Sequence, residues 1–342
     1  MPLDTVALAA KYRASTIRVE SRELLITNFK NSEQERDLTE APNCGGFGRI
    51  RHFRRKTSAG WPANPLPTDP ACAALGMGRR DGISAQVFQN AACNWRCWYC
   101  FVPFNLLSAD TSRSSWLTPQ HLIATYLSEE NRAPILDLSG GQPELVPEWV
   151  LWTMQELKRN GFEDDVYLWS DDNLSCDHFW RFLTPQEQEY VVSYRKYGRV
   201  ACFKGFDEES FAFNTSAEGS WFDRQFDLMG RLVTSGIDMY AYVTLTTPET
   251  AGIADGIPRF VDRLQEIHEN LPLRTVPLEI QNFTPMTERV NQARKAALEN
   301  QWRAIEFWQR ELENRFTAQE RGLPVTEVSI ERTPLTPERH RR

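Results

Sequence analysis

The chain has 342 residues, 41% of them hydrophobic, and sets 39 Lys and Arg against 46 Asp and Glu for a formal net charge of -7. That length supports one large α/β domain with additions, or two domains. A net acidic molecule is not a general polyanion binder. The sequence shows no N-terminal apolar run with a cleavage site and no apolar stretch of bilayer length, so a soluble cytoplasmic protein is expected. Its 7 cysteines are clustered rather than spread, which argues against a disulfide framework and suits a reducing compartment.

The first ~80 residues carry weak periodicity. Residues 6–12 fit a short helix and residues 17–27 fit strands. The run Arg49-Ile50-Arg51-His52-Phe53-Arg54-Arg55-Lys56 is the dense basic stretch. Its interleaved aromatics suit a nucleic-acid or phosphate surface, although solvated charged faces share that composition. Pro62, Pro65, Pro67 and Pro70 mark an irregular crossing segment.

From Ile83 onward, strand-like and helix-like segments alternate. Residues 83–89 read as a strand that feeds Cys93-Asn94-Trp95-Arg96-Cys97-Trp98-Tyr99-Cys100. Thr118-Pro119 opens a helix, with a capping hydroxyl before proline at the first helical position. Leu122, Ile123, Tyr126 and Leu127 form its apolar stripe. Residues 135–139 are a short apolar run, read as a buried strand, and end in Gly140-Gly141. Residues 149–160 are helical, and Gly161 closes them. Strands follow at 166–169, 200–204, 239–245 and 276–281, separated by helices at 185–197, 222–234 and 257–267. A long final helix spans 287–316, with Leu298, Trp302, Ile305, Trp308, Leu312 and Phe316 as its core-facing stripe. Pro324, Pro334, Pro337 and the basic end His340-Arg341-Arg342 read as a loosely ordered tail.

Strands alternating with helices imply βαβ units and a parallel sheet. Functional residues of such sheets lie past the carboxyl ends of the strands. The cysteine run, the Gly140-Gly141 turn and Ser170-Asp171-Asp172-Asn173 all fall there.

Three thiolates on one short loop can hold three corners of a cubane iron–sulfur cluster and leave the fourth iron open. A zinc knot is the other metal reading, but zinc takes four ligands. No second Cys-x2-Cys pair follows, and His52 and His121 lie well away in sequence. Cys44, Cys72, Cys176 and Cys202 show no compact motif and read as isolated buried thiols rather than a second cluster.

The spacing Cys-x3-Cys-x2-Cys, with Tyr99 just before the last cysteine, resembles the signature of the radical S-adenosylmethionine superfamily. The resemblance covers about residues 83–281 and implies a partial (β/α)6 TIM-like barrel. It implies that Cys93, Cys97 and Cys100 bind a 4Fe-4S cluster whose fourth iron is chelated by S-adenosylmethionine, with Tyr99 near adenine. Ser139-Gly140-Gly141-Gln142-Pro143 resembles the family's Gly-Gly-Glu-Pro motif, whose backbone contacts the cosubstrate amino group. Gln142 stands where Glu is common. Ser170 and Asp171 match the ribose-contacting segment more loosely, and the same segment also reads as a helix cap before Leu174. Lys204 resembles the lysine of an Asp-x-Lys segment in glycyl-radical-activating members, with Cys202 in place of the aspartate, and would hold the cosubstrate carboxylate. Thr244, Thr246 and Gln281 end strands; a pocket rim and ordinary strand-end polar positions both fit them, and no role is assigned to them.

The expected organisation is an N-terminal extension of irregular or mixed structure at 1–82, a radical S-adenosylmethionine partial barrel at 83–285, a packing helix at 286–320 and a tail at 321–342. The implied activity is reductive cleavage of S-adenosylmethionine to a 5′-deoxyadenosyl radical that abstracts hydrogen from substrate. A low-potential donor such as flavodoxin or ferredoxin would supply the electron. The segments 203–211 and 278–286 look most like activating-enzyme-like members, which act on a partner protein. Relatives with similar barrels act on small molecules, and a small-molecule substrate is the first expectation. An RNA-modifying enzyme using the basic stretch and a non-catalytic zinc module are the alternatives.

Overall fold

The computed structural model describes residues 2–330. Pro334, Pro337 and the basic end of the expected tail lie outside the described residues. The chain begins with helix α1 (Thr5–Thr16), strands β1 (Ile17–Arg18), β2 (Glu23–Thr27) and β3 (Gly48–Arg54), and helix α2 (Thr68–Ala74). Then come β4 (Gly82–Phe88), β5 (Ser114–Leu117), α3 (Pro119–Ser128), β6 (Ile135–Leu138), α4 (Glu148–Arg159) and β7 (Tyr167–Asp172). Helices α5 (His178–Phe182) and α6 (Pro185–Ser193) precede β8 (Tyr197–Phe203), followed by α7 (Glu208–Thr215), α8 (Phe222–Ser235) and β9 (Met239–Val243). The chain closes with α9 (Ile253–Ile267), β10 (Thr275–Pro277), α10 (Gln292–Arg315) and α11 (Ala318–Arg321).

One sheet has 7 strands in the order β10-β9-β8-β7-β6-β4-β3. From β4 to β10 all neighbours are parallel, joined by helical crossovers. Both edges stay open, so the architecture is a partial (β/α)6 barrel with a long C-terminal helix. β3 adds a strand beyond it, antiparallel to β4. A second, small antiparallel sheet, β1-β2-β5, meets the segment after β4, where the Thr27 N–H donates to the Gln89 carbonyl at 2.9 Å and the Ala91 N–H to the Leu25 carbonyl at 3.1 Å.

The parallel strands are near-continuous apolar runs, as burial on both faces requires. Leu136, Leu138, Leu168 and Phe203 face the helical layer. Ala85, Ile135, Tyr167, Trp169, Val200, Tyr240 and Tyr242 fill the barrel interior. Helix starts follow the capping residues. The Thr118 hydroxyl accepts from the His121 backbone N–H at 3.1 Å, with Pro119 behind it. Gly236 closes α8 at φ +89°.

Several expectations change. The long helix starts at Gln292 rather than 287, because residues 284–286 form a short 3-10 turn instead. Its buried stripe is Ala297, Gln301, Ala304, Ile305 and Trp308, and Trp302 stands 37% exposed. The small residues let α10 approach the barrel closely. Gln301 fits the buried face because its amide exchanges two hydrogen bonds with the Ile280 backbone, each 2.9 Å. Trp302 stacks edge-on against Trp61 at 5.2 Å. The basic stretch is solvated on one side only, at His52, Arg54 and Lys56. Arg49 and Arg55 are buried, Arg55 is paired with Asp69, and His52 pairs with Glu40 at 2.7 Å. Helices α5 and α7, five and eight residues long, carry no strong period and are additions to the expected set.

Gly198 on β8 lies beneath the interior rings. A Cβ there would stand 2.2 Å from the Tyr167 hydroxyl and 2.9 Å from the Trp169 ring. Gly198→Ala is therefore expected to lose about 1–3 kcal/mol of unfolding free energy through overpacking. Denaturant titration checks it, and an unchanged midpoint would count against this packing.

Candidate active site

The cysteine run leaves β4 at the carboxyl edge of the sheet and is braced from both sides. The Trp95 indole N–H donates to the Thr5 hydroxyl at 3.3 Å. Arg96 donates to the Tyr12 hydroxyl at 2.7 Å and to the Leu107 carbonyl at 3.2 Å. From the other side, α7 accepts the Arg96 and Trp98 backbone N–H groups on the carbonyls of Thr215 and Asn214, at 3.1 and 3.2 Å. The Trp98 indole N–H donates to the Asn214 side chain at 3.0 Å. Arg289 clamps the exit of the loop, donating to the Cys100 and Val102 carbonyls at 2.8 and 3.1 Å.

The Gly140-Gly141 turn packs directly under this loop. Both glycines have positive φ, +78° and +63°. A Cβ on Gly141 would meet the Asn90 and Ala92 carbonyls at 2.3 and 2.5 Å, so only glycine lets the two loops approach. Gln142 then joins three segments. Its backbone N–H donates to the Ala92 carbonyl at 2.7 Å, and its carbonyl accepts from the Asn90 amide at 3.0 Å. Its side-chain NH2 donates to Asp172 at 3.0 Å, and its side-chain oxygen accepts the Asn173 backbone N–H at 3.0 Å. Asn173 completes the circuit, donating to Asn94 at 3.2 Å and to the Cys93 sulfur at 3.6 Å.

This explains glutamine in place of glutamate. Asp172 is buried and already shares the Arg199 guanidinium with Glu144, at 3.6 and 3.0 Å. A third carboxylate there would keep the Asn173 N–H on one oxygen but set the other, without a donor, against the like charge of Asp172.

Strand alternation divides the Ser170–Asn173 segment. Asp171 points inward and accepts from the Ser139 hydroxyl. Ser170 points to the other face, where its hydroxyl pairs with the Tyr197 hydroxyl at 2.7 Å. The structure thus turns the Ser170 side chain away from the barrel mouth. Asn173, unremarked in the sequence beyond its place in the segment, is nearer the cysteines, and its side-chain oxygen is buried without a hydrogen-bond partner.

Tyr99 lies between the loop and β9, with its hydroxyl 2.9 Å from Thr244 Oγ1. Lys204, half-buried just past β8, sits among Cys202, Tyr99 and Cys97. Burial works against its charge, but these neighbours reverse that, and the net direction is upward, so it stays cationic. Cys202 therefore belongs to the barrel mouth rather than to an isolated core position. Thr246 is committed to the Asn214 side chain at 2.8 Å, and Gln281 is exposed.

Cys93, Cys97 and Cys100 are half-buried and reduced. Burial pushes the Cys97 thiol up to about 12; Lys204 opposes the rise, and Cys93 and Cys100 add to it. Among the described residues no three His, Cys, Asp or Glu converge closely enough to hold a single metal ion. The donor set fits a cubane cluster in kind: three thiols on one braced loop, with an amide donor on the Cys93 sulfur.

Arg49, Arg51 and Asp137 also face the interior, a set that sequence reasoning misses. Asp137 is a lone acid in the apolar strand Ile-Leu-Asp-Leu, and that is its signal. Burial holds its carboxyl well above the usual carboxylate range, Asp171 adds to the rise, and Arg51 and Arg49 oppose it.

No family model matches the chain, and no curated protein matches it. Solved structures do. The crystal structure of Streptococcus suis SuiB bound to S-adenosylmethionine matches at 16% identity and TM-score 0.43, over 66% of this chain and 46% of that one. SuiB bound to the precursor peptide SuiA matches at 14% and 0.45, over 67% and 46%. Histidine-tagged anSMEcpe with bound AdoMet matches at 12% and 0.43, over 66% and 57%. The chain thus spans about half the length of the structures it matches.

Gln142→Glu is expected to lower unfolding free energy at neutral pH by about 1–3 kcal/mol, the scale for a buried polar group left without its partner. Chemical denaturation against the unaltered protein measures it. Equal stability would show that the amide bridge does not hold the three loops.

Proposed function

We propose that this chain is a radical S-adenosylmethionine enzyme acting on a small molecule. The observation that supports it best is the joining of three segments at one sheet edge. The cysteine loop, the Gly-Gly turn and the end of β7 are tied together through Gln142, Asn94 and Asn173. These are the segments whose residues resemble the family's motifs.

Cys93, Cys97 and Cys100 would hold a 4Fe-4S cluster. Such a cluster, when bound, supplies one electron that cleaves S-adenosylmethionine to methionine and a 5′-deoxyadenosyl radical, which takes a hydrogen atom from the substrate. Lys204, cationic among the loop residues, would pair with the cosubstrate carboxylate. The Gly140-Gly141 backbone would receive its amino group, and Tyr99 would pack beside the adenine, its hydroxyl already held by Thr244. Asp171 and the unpartnered Asn173 oxygen are the acceptors suited to ribose hydroxyls. The apolar rings beneath, Trp169 and Tyr240 among them, would close the floor of the site to water.

The basic stretch does not favour an RNA substrate, because Arg49 and Arg55 are buried and Arg51 pairs with Asp137, which leaves Arg54 and Lys56 as its exposed cations. Anaerobic reconstitution with iron and sulfide, followed by dithionite and S-adenosylmethionine, is expected to release 5′-deoxyadenosine. Cys97→Ala is expected to abolish release, a loss of at least about 100-fold on the scale of removing an essential catalytic group. Cleavage retained in that variant, or zinc without iron in the reconstituted protein, would overturn the reading.

A further inference from the structure

Beside the cysteine loop, a cleft of ≈ 340 Å³ opens between β3, the stretch after Cys100 and the segment before α10. Phe101, next to Cys100, and Phe283 line it, their rings 6.1 Å apart. Arg49 lines it too, only 5% exposed, with its guanidinium 5.3 Å from the Phe101 ring centroid. Its Nε and Nη2 donors are buried with no hydrogen-bond partner. Gln34, 1% exposed on the same cleft, has an unpartnered side-chain oxygen. Behind the cleft wall, Asp137 is fully buried with no hydrogen bond on either carboxyl oxygen, and among the described residues its one ion pair is with the cleft residue Arg51 at 3.9 Å.

Strand pairing puts Arg49 and Asp137 on one face. Arg49 pairs with Val87 and Val87 with Asp137. Two strand spacings set their backbones about 10 Å apart. Two other polar groups of the cleft are satisfied. Asp37 accepts from the Thr284 backbone and hydroxyl at 3.0 and 2.6 Å, and His52 is paired with Glu40.

A buried guanidinium fork without a partner is costly. Planar anionic oxygens are what such a fork recognises, with two parallel hydrogen bonds. The unpartnered acceptors a short distance away call for N–H or O–H donors.

We propose that this cleft is the substrate subsite, and that it takes a small molecule bearing an anionic oxygen group, carboxylate or phosphate, on Arg49 and hydrogen-bond donors directed at Asp137 and Gln34. The assignment of this pocket to substrate rests on the radical S-adenosylmethionine reading; the anion site itself does not. Arg49 and Asp137 here bind and orient, and neither is given a chemical step. Arg51 lines the cleft and pairs at 3.9 Å with Asp137, which lies deeper on the same face of the sheet.

The test is isothermal titration of the full chain with three probes: inorganic phosphate, acetate and β-alanine. Phosphate or acetate binding is expected, and which is tighter distinguishes the two anion sources. Arg49→Gln is expected to weaken that binding at least tenfold. If this variant fails to fold, Arg49→Lys, which keeps the charge but not the fork, is expected to weaken it at least threefold. β-Alanine is expected to bind more tightly than acetate, and Asp137→Asn to remove that advantage. Binding unaffected by either Arg49 variant, or no binding of any probe, would overturn the subsite. So would a β-alanine advantage that survives Asp137→Asn, since it would place the donor elsewhere. Titration needs no cluster, so it separates from the cleavage assay. Failed cleavage with intact anion binding sinks the enzyme reading, and failed binding with intact cleavage sinks only this inference.

Discussion

The side-chain amide of Gln142 is the joint on which the barrel mouth depends. A carboxamide offers a donor and an acceptor from one planar group. Here the donor meets Asp172 and the acceptor meets the Asn173 backbone. A glutamate of the same length offers only acceptors when ionised. The joint also explains the charge balance around it: Arg199 already serves two carboxylates, Glu144 and Asp172. The loop that resembles a cosubstrate-binding turn is thus fixed by an uncharged group within a charged surround.

The N-terminal segment is structurally part of this mouth. Thr5 and Tyr12 on α1 receive donors from Trp95 and Arg96. β3 supplies a strand and the interior residues Arg49 and Arg51. The cysteine loop consequently lies between α1 on one side and α7 on the other, with Arg289 at its exit. A loop of this length would otherwise have few contacts of its own to hold three thiols in a common orientation.

Much of the barrel was legible because parallel strands buried on both faces must be apolar runs, and residues 135–139 and 239–245 have that composition. The caps at Thr118 and Gly236 were legible for local reasons as well. The cysteines and the double glycine carry their chemistry in spacing and residue type. What stayed hidden depends on tertiary placement. Arg49 looked like one member of a solvated basic run, and only its pairing with Val87 turns it inward. Ser170 looked equivalent to Asp171, but strand alternation sends the two to opposite faces. The stripe of α10 was misjudged at Trp302, because a glutamine can occupy a buried face when a backbone segment satisfies it, and no periodicity reveals that.

β3 runs against the direction of the other six strands of its sheet, and this has a consequence for how the chain can change. Along β3 the numbering descends as the barrel climbs, from Phe53 at the floor through Arg51 to Arg49 at the lip. An inserted residue that slips the whole strand by one position would exchange that inner column for Ile50, His52 and Arg54. Insertions here would therefore rewrite the pocket wholesale, whereas lengthening the connection that follows β3 would leave its chemistry untouched.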